Sequence, residues 1–521
     1  MTSVEEHVDF LARQKGSRPL QILIGIQKAF NCIPIEAIER LSDALDLPVT
    51  RILGDVEFYS FLSRERSADY VFLMSDGIID SMKGSGALYS RLSENLDGMG
   101  KVRTGWTSCI GMGDQGPAML VNGMAMANLD ESKIDALSGL VKKSIPLSEW
   151  PREWFGVESN IRKRGWLFES REGRLLEGES LLAELDECGL RGRGGAGFPT
   201  AKKWASCREA GGDERYVVCN ADEGEPGTFK DRELLSCRAE GLLEGMALCA
   251  GVIGAKKGFL YVRGEYRYLE AHLESALEKM RFDDFEIELQ WGAGAYICGE
   301  ESALLESIEG GRGIPRIRPP FPVTHGLSGL PTVIDNVETF CAAAAIAAGG
   351  GEAFRHCGTA QSRGTKLLSV SGDCMRPGIY EYPFGVSVIE ILDDCGAKDT
   401  LAVQVGGAAG TCLDAPEFGR TISFEDLPTS GSVMVFDRSR NMKDVALNFA
   451  RFFAHESCGF CTPCRVGTPL LVEALESSEI EELMDLGQVL QASHCGLGLS
   501  ASRAVLDMIE HFPGHFVKVY G

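Results

Sequence analysis

Four cysteines near the C-terminal end have the spacing of metal-cluster ligands. Cys458, Cys461 and Cys464 form a C-x2-C-x2-C run, and thirty residues separate Cys464 from Cys495. Such a run lets one tight loop present three thiolates to three corners of a cuboidal cluster, and a distant cysteine completes the fourth. A structural zinc site more often uses two separated C-x2-C pairs. The spacing therefore favours a [4Fe–4S] cluster, with zinc and metal-free thiols as the open alternatives.

A glycine-rich segment at residues 189–198 could hold a phosphate. Its glycines include Gly192, Gly194 and Gly195, and Lys203 follows shortly after. Glycines let backbone amides approach a phosphate, whose charge a lysine can offset. The segment follows a helical pattern rather than a strand, so it is not the usual dinucleotide fingerprint. A nucleotide site of another kind is indicated, and a flexible loop is the alternative.

A second segment, residues 217–228, reads as a strand that ends in polar side chains. Asn220, Asp222 and Glu223 stand at that end. Amides and carboxylates in this position can hydrogen-bond a flavin ring edge or ribosyl hydroxyls. Taken alone, a capped and solvated turn explains the segment equally well.

A third glycine-rich segment, residues 292–301, repeats the theme. Tyr296 could pack on a flat ring, and Glu300 and Glu301 could hydrogen-bond a ribose or a nicotinamide. Tyr296 would fit a hydrophobic core as readily. Three such segments so close together favour one nucleotide site.

The surrounding elements predict a multi-domain α/β protein, since 521 residues exceed one simple core. Helical periodicity dominates the first 45 residues, and short strands alternate with helices in the middle of the chain. We predict five segments: a front unit at 1–135, a linker at 136–180, an α/β domain at 181–360, a small β-rich module at 364–438 and a helical bundle at 441–521.

Charge and composition restrict the class of function. A formal net charge of −23 argues against nucleic acid as a partner, because phosphate backbones need a basic surface. No apolar run reaches the roughly 20 residues that span a bilayer, so direct membrane insertion is not expected. The start of the chain lacks the pattern of a signal peptide, and the 17 cysteines are mostly scattered singly. These features favour the cytoplasm.

Together the motifs resemble the FMN- and NADH-binding flavoprotein family of respiratory complex I and of related soluble hydrogenases and formate dehydrogenases. The resemblance covers roughly residues 180–515 and rests on the three glycine-rich segments and the cysteine run, in that order. Residues 1–135 resemble the thioredoxin-like partner subunit of that family, here fused in front. This arrangement is most similar to the diaphorase flavoprotein subunits of NAD-reducing hydrogenases. The resemblance implies a degenerate thioredoxin-like domain, a non-classical Rossmann-like FMN domain, a β-grasp-like module and a helical Fe–S bundle.

The resemblance also implies site residues. The expected FMN contacts are Gly192, Arg193, Gly194, Gly195, Lys203, Asn220, Asp222, Glu223, Tyr296, Gly299, Glu300, Glu301, Asp335, Asn336 and Thr339. The expected NADH contacts are Phe198, Glu225, Arg318 and Phe321. Three positions depart from the family: Asp335 stands where an asparagine is frequent, Arg318 where a lysine is usual, and Ser206 where complex I relatives carry an aromatic residue near the adenine.

The largest departure is in the front unit. Relatives with a [2Fe–2S] cluster use a C-x4-C and a C-x3-C pair, which would fall at Met74 and Ile79 and at Cys109 and Gly113. Only Cys109 is a cysteine, and one thiolate cannot hold such a cluster. We therefore expect residues 1–135 to bind no metal.

The resemblance implies a diaphorase subunit that passes electrons between NAD(H), FMN and a [4Fe–4S] cluster. FMN can take two electrons from a nicotinamide and return them singly to a cluster. Hydride transfer needs positioning rather than an acid or a base, so no catalytic side chain is expected. The expected partners are an Fe–S electron-transfer subunit and a catalytic module, for which a hydrogenase is the favoured identity. A formate dehydrogenase or an electron-bifurcating complex is the alternative, and a non-catalytic assembly subunit is an alternative of another class.

Overall fold

A computed structural model describes residues 3–15, 18–65, 68–170 and 173–516 of the chain. No helix among these residues combines the length and the apolar character needed to cross a membrane. The mixed α/β architecture predicted from the sequence is confirmed.

The centre of the molecule is a four-stranded, wholly parallel sheet whose order is β8-β7-β6-β9. Its strands are numbered here with those of the whole chain. They are β6 (Tyr216–Ala221), β7 (Lys257–Val262), β8 (Glu286–Trp291) and β9 (Thr332–Asn336). The accompanying helices are α9 (Gly178–Cys188), α10 (Thr200–Glu209), α11 (Lys230–Cys237), α12 (Ala239–Ile253), α13 (Glu270–Lys279), α14 (Glu301–Ile308), α15 (Pro322–His325), α16 (Val337–Ala345) and α17 (Gly351–Arg355).

Both faces of this sheet are buried, as a parallel sheet requires. Successive residues of β6 point to opposite faces, so Val217 and Cys219 join the core formed with α12 and α16. Val218 joins a different core, which contains Leu23 and Ile26 from the start of the chain. The N-terminal helices therefore complete the central domain instead of forming a separate body.

These N-terminal helices are α1 (Val4–Lys15), α2 (Pro19–Phe30), α3 (Ile35–Leu45) and α4 (Val49–Phe58). Specific contacts fasten them to the central sheet. Gln21 donates a hydrogen bond to the Trp291 carbonyl at 2.8 Å, and the Tyr59 hydroxyl lies 3.0 Å from Ser307 Oγ. The helical patterns at 4–14, 19–30 and 35–45 are confirmed to within one residue.

The rest of the front unit is a mixed sheet with the order β2-β1-β3-β4. Strands β1 and β2 are parallel, while β3 pairs antiparallel with β1 and β4. Its elements are β1 (Tyr70–Ser75), α5 (Ile78–Met82), α6 (Ser85–Leu96), β2 (Val102–Thr107), β3 (Met119–Val121), β4 (Met124–Met126) and α7 (Glu131–Lys142). Helix α7 continues past residue 135 and packs on α6, so the front unit extends beyond the boundary that composition suggested.

A six-stranded sheet with the order β13-β12-β14-β10-β11-β5 forms the next unit. The elements are β5 (Ile161–Lys163), α8 (Trp166–Glu169), β10 (Thr365–Gly372), β11 (Gly378–Pro383), α18 (Val388–Cys395), β12 (Thr400–Val405), β13 (Thr411–Asp414) and β14 (Ser432–Asp437). Strand β5 comes from the predicted linker and pairs in parallel with β11. That stretch is therefore an ordered part of the sheet.

The C-terminal part is a helical bundle. It consists of α19 (Met442–Glu456), α20 (Thr462–Ser477), α21 (Ile480–Leu490), α22 (Gly496–Ser500) and α23 (Arg503–His511). The Glu456 carboxylate accepts a hydrogen bond from the Tyr296 amide at 3.0 Å, which joins the bundle to the central domain.

Candidate functional site

The main cleft opens at the carboxyl ends of β6 and β9. The chain runs from β6 through β7 to β8 and then crosses to β9 on the other side of β6, so the sheet has a topological switch point there. Ligands of open α/β sheets bind at such points. Two adjoining cavities, of about 660 and 530 Å³, occupy the cleft. Their shared wall residues are Gly194, Ala196, Asn220, Gly299, Glu300, Asn336 and Gly496.

The glycine-rich turn forms one rim of this cleft. The Gly192 amide donates to the Phe198 carbonyl at 2.9 Å, which closes the turn. A Cβ on Gly194 would lie 3.3 Å from the Asn336 Cβ, and Gly195 has a φ of +126°. The backbone can therefore approach a ligand here only because these residues have no side chain.

Lys203 lies behind the turn and lines the larger cavity. Its ammonium is 3.1 Å from the Asp335 carboxylate and 2.8 Å from the Ile334 carbonyl. Burial would lower the pKa of Lys203, but the Asp335 charge outweighs it and the net direction is upward. Lys203 is therefore held as a cation at the wall, and Asp335 serves to orient it.

The side chain of Arg193 does not line the cleft, although the resemblance implied an FMN contact for this residue. Its guanidinium is buried and donates to the Arg191 and Arg363 carbonyls at 2.8 and 3.0 Å. It also lies 4.8 Å from the centre of the Phe384 ring. Its backbone amide donates to Thr339 Oγ1 at 2.9 Å, so Arg193 and Thr339 together fix the shape of the turn.

The polar end of β6 faces the smaller cavity. Asn220 Nδ2 donates to the Gly299 carbonyl at 2.8 Å, and Asn220 Oδ1 accepts from the Asp222 amide. Asp222 Oδ2 is buried without a hydrogen-bond partner among the described residues, and burial raises the pKa of Asp222 to about 8. An unpartnered buried oxygen at a cavity wall fits a ligand that donates a hydrogen bond.

Glu223 lines the same cavity but is committed to the protein. Its carboxylate accepts the backbone amides of Asp231 and Arg232 at 2.9 and 3.1 Å, at the start of α11. The Tyr266 hydroxyl donates to it at 2.9 Å. Burial and the nearby Asp231 raise the pKa of Glu223 to about 7. Glu223 therefore anchors α11 beneath the cleft.

Glu225 and Tyr296 are hydrogen-bonded to each other in the wall of the smaller cavity. The Tyr296 hydroxyl donates to Glu225 Oε2 at 2.7 Å, and the Ala409 amide donates to Oε1 at 3.1 Å. Burial raises the pKa of Glu225 to about 7 against these two hydrogen bonds. Ala409 belongs to the six-stranded unit, so that unit supplies one wall of the cleft.

Glu300 and Glu301 begin helix α14 at the wall of the larger cavity. Glu300 Oε2 accepts the backbone amides of Ser302 and Ala303, both at 3.0 Å, and so caps the helix. Arg318 lies 3.2 Å from Glu300 and 2.9 Å from Glu301. These three charges form one group whose exposed side faces the cleft.

The residues expected around NADH are divided between the cavities. Phe198, Arg318 and Phe321 line the larger one, and both phenylalanines are about half exposed. Glu225 lines the smaller one. Because the cavities adjoin, a dinucleotide would have to span both to meet all four.

A group of buried charges beneath the turn carries no motif and was missed by the sequence analysis. Lys366, from β10, donates to the Arg193 carbonyl at 3.0 Å and to Glu338. Lys230 lies 3.1 Å from Glu338 and donates to Asn336 Oδ1 at 3.1 Å. The group therefore ties the glycine turn, the end of β9 and the six-stranded unit together.

Two of these charges have displaced pKa values. Burial lowers the pKa of Lys366 to about 7 despite the neighbouring carboxylate. Burial would raise the pKa of Glu338, but Lys366 and Lys230 hold it below its ordinary value. No local sequence pattern indicates this group, because Lys230 lies more than one hundred positions from Glu338 and Asn336.

The four cysteines of the C-terminal group converge on one small cavity. Cys458 and Cys461 lie in the loop before α20, Cys464 in the first turn of α20, and Cys495 directly before α22. All four line the cavity, together with apolar residues and His494. Three thiols thus come from one short segment, and the fourth comes from a later turn of the helical bundle.

The spacing of these sulfurs distinguishes the two metal hypotheses. Zn–S bonds of about 2.3 Å would hold four thiolates about 3.8 Å apart. Among the described residues, no three of these sulfurs lie within 4.8 Å of one another. The four thiols (the thiol cage) are therefore not gathered as a single zinc ion would require, which favours a cuboidal cluster over zinc.

The thiol cage and the cleft share a wall. Ile297 and Leu497 line both the cysteine cavity and the smaller cavity of the cleft. Gly496, next to Cys495, lines both cavities of the cleft. The aliphatic side chains of Ile297 and Leu497 therefore stand between the two candidate cofactor sites.

Comparison with known proteins gives three matching family models. They are the Nuo51 FMN-binding domain over residues 185–345, the NADH-ubiquinone oxidoreductase-F iron–sulfur binding region over residues 444–519, and the thioredoxin-like [2Fe-2S] ferredoxin over residues 4–141. The alpha subunit of the NAD-reducing hydrogenase HoxS of Cupriavidus necator is 37% identical, over 96% of this chain and 92% of its own length. The F 2 polypeptide of the NADH-quinone oxidoreductase of Rhizobium meliloti is 38% identical, over 65% of this chain and 88% of its own length.

The fold agrees throughout with a solved structure. A chain of an NAD+-reducing [NiFe]-hydrogenase in the air-oxidized state superposes with a TM-score of 0.92 at 43% identity, over 97% of this chain and 94% of that chain. The chain belongs to the flavoprotein family of the HoxS alpha subunit and the F polypeptides of NADH-quinone oxidoreductases.

Family membership confirms the resemblance noted in the sequence. The FMN-binding domain and the iron–sulfur region of the family both match, so the cofactors expected for them, FMN and a [4Fe–4S] cluster, are those of the family. The role as a component of an NADH oxidoreductase, of the diaphorase type, is likewise confirmed.

The front unit matches the family fold but not the donor set of a [2Fe–2S] cluster. Met74 and Ile79 are buried apolar residues at two of the expected ligand positions, and Gly113 has no donor. Cys109 is buried, and burial raises the pKa of its thiol. A Cβ on Gly77 would lie 3.2 Å from the Cys109 Cβ, so the place is closely packed. The residues present do not fit the cluster that the family model names.

Proposed function

We propose that the cleft binds FMN and NAD(H) side by side, and that electrons leave it through the C-terminal cluster toward a partner subunit. The observation that carries this proposal is the wall that Ile297 and Leu497 share between the cleft and the thiol cage. Bound FMN would exchange a hydride with the nicotinamide and single electrons with the cluster.

The chain's own residues divide the work of binding. The turn amides and Lys203 would hold the FMN phosphate, and Asn220, Asp222 and Asn336 would hydrogen-bond the flavin. The [4Fe–4S] cluster would be held by Cys458, Cys461, Cys464 and Cys495. Asp222 supports this assignment because its buried Oδ2 has no partner among the described residues.

NAD(H) would enter from the larger cavity. Phe198 and Phe321 offer exposed ring faces at its rim, and Arg318 supplies a cation. Glu225, at the far end of the cleft, would oppose a 2′-phosphate and so favour NADH over NADPH.

The partner in this proposal is a hydrogenase module that communicates through an Fe–S electron-transfer subunit. Support comes from the C. necator relative and the superposed structure, both of which belong to NAD-reducing hydrogenases and match almost the whole chain. A formate dehydrogenase or a bifurcating complex would use the same flavoprotein. The acidic balance of the chain also suits a cytoplasmic assembly without nucleic acid.

The proposal is tested by adding NADH anaerobically to the purified chain. Bleaching of the flavin absorbance, followed by an EPR signal of a reduced [4Fe–4S] cluster, is the expected result. A chain that carries no flavin would instead support the non-catalytic assembly role. If the co-purified complex reduces NAD+ with hydrogen, the partner is a hydrogenase. If it reduces NAD+ with formate and not with hydrogen, the partner is a formate dehydrogenase.

A further inference from the structure

Two cysteines outside both cofactor sites lie against each other in the six-stranded unit. Cys374 follows β10, and Cys395 is the last residue of α18. The backbone of Cys374 forms an isolated antiparallel bridge with Ala397, and the Arg376 amide donates to the Cys395 carbonyl at 2.9 Å. These two backbone contacts hold the turn that carries Cys374 against the end of α18, which carries Cys395.

Both side chains belong to the same small hydrophobic core, where the Cys395 thiol donates to the Leu392 carbonyl at 3.4 Å. Interaction between the two thiols raises the pKa of Cys374 and lowers the pKa of Cys395. Cys395 is fully buried, whereas Cys374 is partly exposed and stands next to Met375, which is 71% exposed. A small oxidant can therefore reach the pair from the Cys374 side.

The turn that carries Cys374 is held rigidly. Gly372 has a φ of +93°, and the Asp373 carboxylate forms a two-pronged ion pair with Arg440 at 2.6 and 2.9 Å. Asp373 also accepts the Asp437 amide at 3.0 Å. Because both backbones are fixed, little conformational freedom remains to be lost when the two sulfurs are joined.

We propose that Cys374 and Cys395 form a reversible disulfide when the protein meets hydrogen peroxide. Two S–H bonds and the O–O bond break, and one S–S bond and two water molecules form. Each sulfur is oxidised by one electron, and each peroxide oxygen is reduced by one electron. A thiol reductant reverses the reaction by exchange.

The disulfide would close a loop of the six-stranded unit and fasten its turn to α18. It would also protect both sulfurs from further, irreversible oxidation, because a disulfide stands lower on the oxidation ladder than a sulfinic acid. Strand β10 also carries Lys366, which supports the glycine turn. The modification therefore lies two residues beyond the strand that connects this unit to the cleft.

The test uses the full chain and mass spectrometry. The protein is treated with hydrogen peroxide, alkylated and digested with trypsin, which does not cut the Arg376–Pro377 bond. Residues 367–398 are then released as one peptide that contains both cysteines and no other. We expect this peptide to lose both alkylation sites and two hydrogen masses, and to regain both sites after dithiothreitol.

Met375 lies in the same peptide and reports that the oxidant arrived, because an exposed methionine gains one oxygen. A peptide with oxidised Met375 and two alkylated cysteines would overturn the proposal. So would sulfinic acid on either cysteine without the loss of two hydrogens.

Cysteine variants show which two sulfurs form the disulfide. The loss of two hydrogens must disappear in Cys374→Ser and in Cys395→Ser and must persist in the control Cys357→Ser. The unfolding temperature of the wild-type chain should rise after peroxide and fall back after dithiothreitol, with no rise in Cys374→Ser. Persistence of the mass change in either single variant would show that another pair is linked.

Discussion

The front unit and the C-terminal bundle both match families that hold an iron–sulfur cluster, and they differ in the residues that stand at the ligand positions. In the bundle, four thiols line one cavity against the cleft. In the front unit, Met74 and Ile79 fill the expected positions and Cys109 is the one thiol among them. The fold is kept in both regions, but only the bundle keeps a donor set. A matching fold therefore does not establish a matching cofactor.

The strongest test of this contrast is Cys495→Ser. Removing one of four thiolates should abolish the [4Fe–4S] cluster, so cluster iron and the corresponding EPR signal should be lost almost completely. Flavin content should stay near that of the wild-type chain, since the cleft residues are unchanged. Cys237→Ser, at an exposed cysteine, is the matched control. A variant that keeps its cluster would place the fourth ligand elsewhere.

A second test concerns the buried charges that support the glycine turn from beneath, rather than the residues that line the cleft. Lys366→Met removes a buried donor to Glu338 and the Arg193 carbonyl. Loss of such a hydrogen bond costs about 1.5–3 kcal/mol of stability. Because Lys366 supports the glycine turn, FMN should bind more weakly, by up to about a hundredfold if the whole loss falls on the shape of the turn. Fluorescence titration of the flavin-free chain measures this, with the exposed Lys398→Met as control. Unchanged affinity would limit Lys366 to a role in folding.

A smaller effect is expected for nucleotide selection. Because burial raises the pKa of Glu225 to about 7, this carboxyl is mostly neutral at pH 6 and mostly charged at pH 8. The preference for NADH over NADPH should therefore increase across this interval. Ratios of kcat/KM at several pH values measure it, and Glu225→Gln should lower the preference and flatten the profile. The same slope in the variant would mean that another group selects the nucleotide.

The smallest effect is expected at the front unit, where Cys109→Ser should change nothing in iron content or in the EPR spectrum. Only one of the expected ligand positions carries a thiol, so none of the iron should depend on it. A [2Fe–2S] signal that is present in the wild-type chain and lost in this variant would remove the contrast between the two regions.

The parts of the molecule whose chemistry is local could be predicted from the sequence. The cysteine run and the glycine turns lie within a few residues, so their spacing alone indicates three thiolates or a close backbone approach. The helices at the start of the chain could also be predicted, because their apolar periodicity is strong. Their position on one face of the central sheet could not, because the core beneath them brings together residues as distant in sequence as Leu23 and Val218.

The side chains that the sequence analysis misplaced or missed have physical explanations. Arg193 stands in a segment expected to contact FMN, yet buried carbonyls and the Phe384 ring bind its guanidinium inside the protein. The burial of Lys366 and Glu338 could not be predicted from the sequence, because a charged residue is buried only where partners stabilise it and those partners are distant in the chain. Strand β5 lay in a segment too short and too polar to be recognised.

The aliphatic layer formed by Ile297 and Leu497 has one further consequence. Electrons cross such a layer by tunnelling, but a proton needs hydrogen-bonding groups to carry it, and these two side chains have none. With both cofactors bound, the wall would therefore pass an electron toward the cluster without passing a proton. Asp222, which lines the same cavity at the end of β6, could exchange that proton within the cleft.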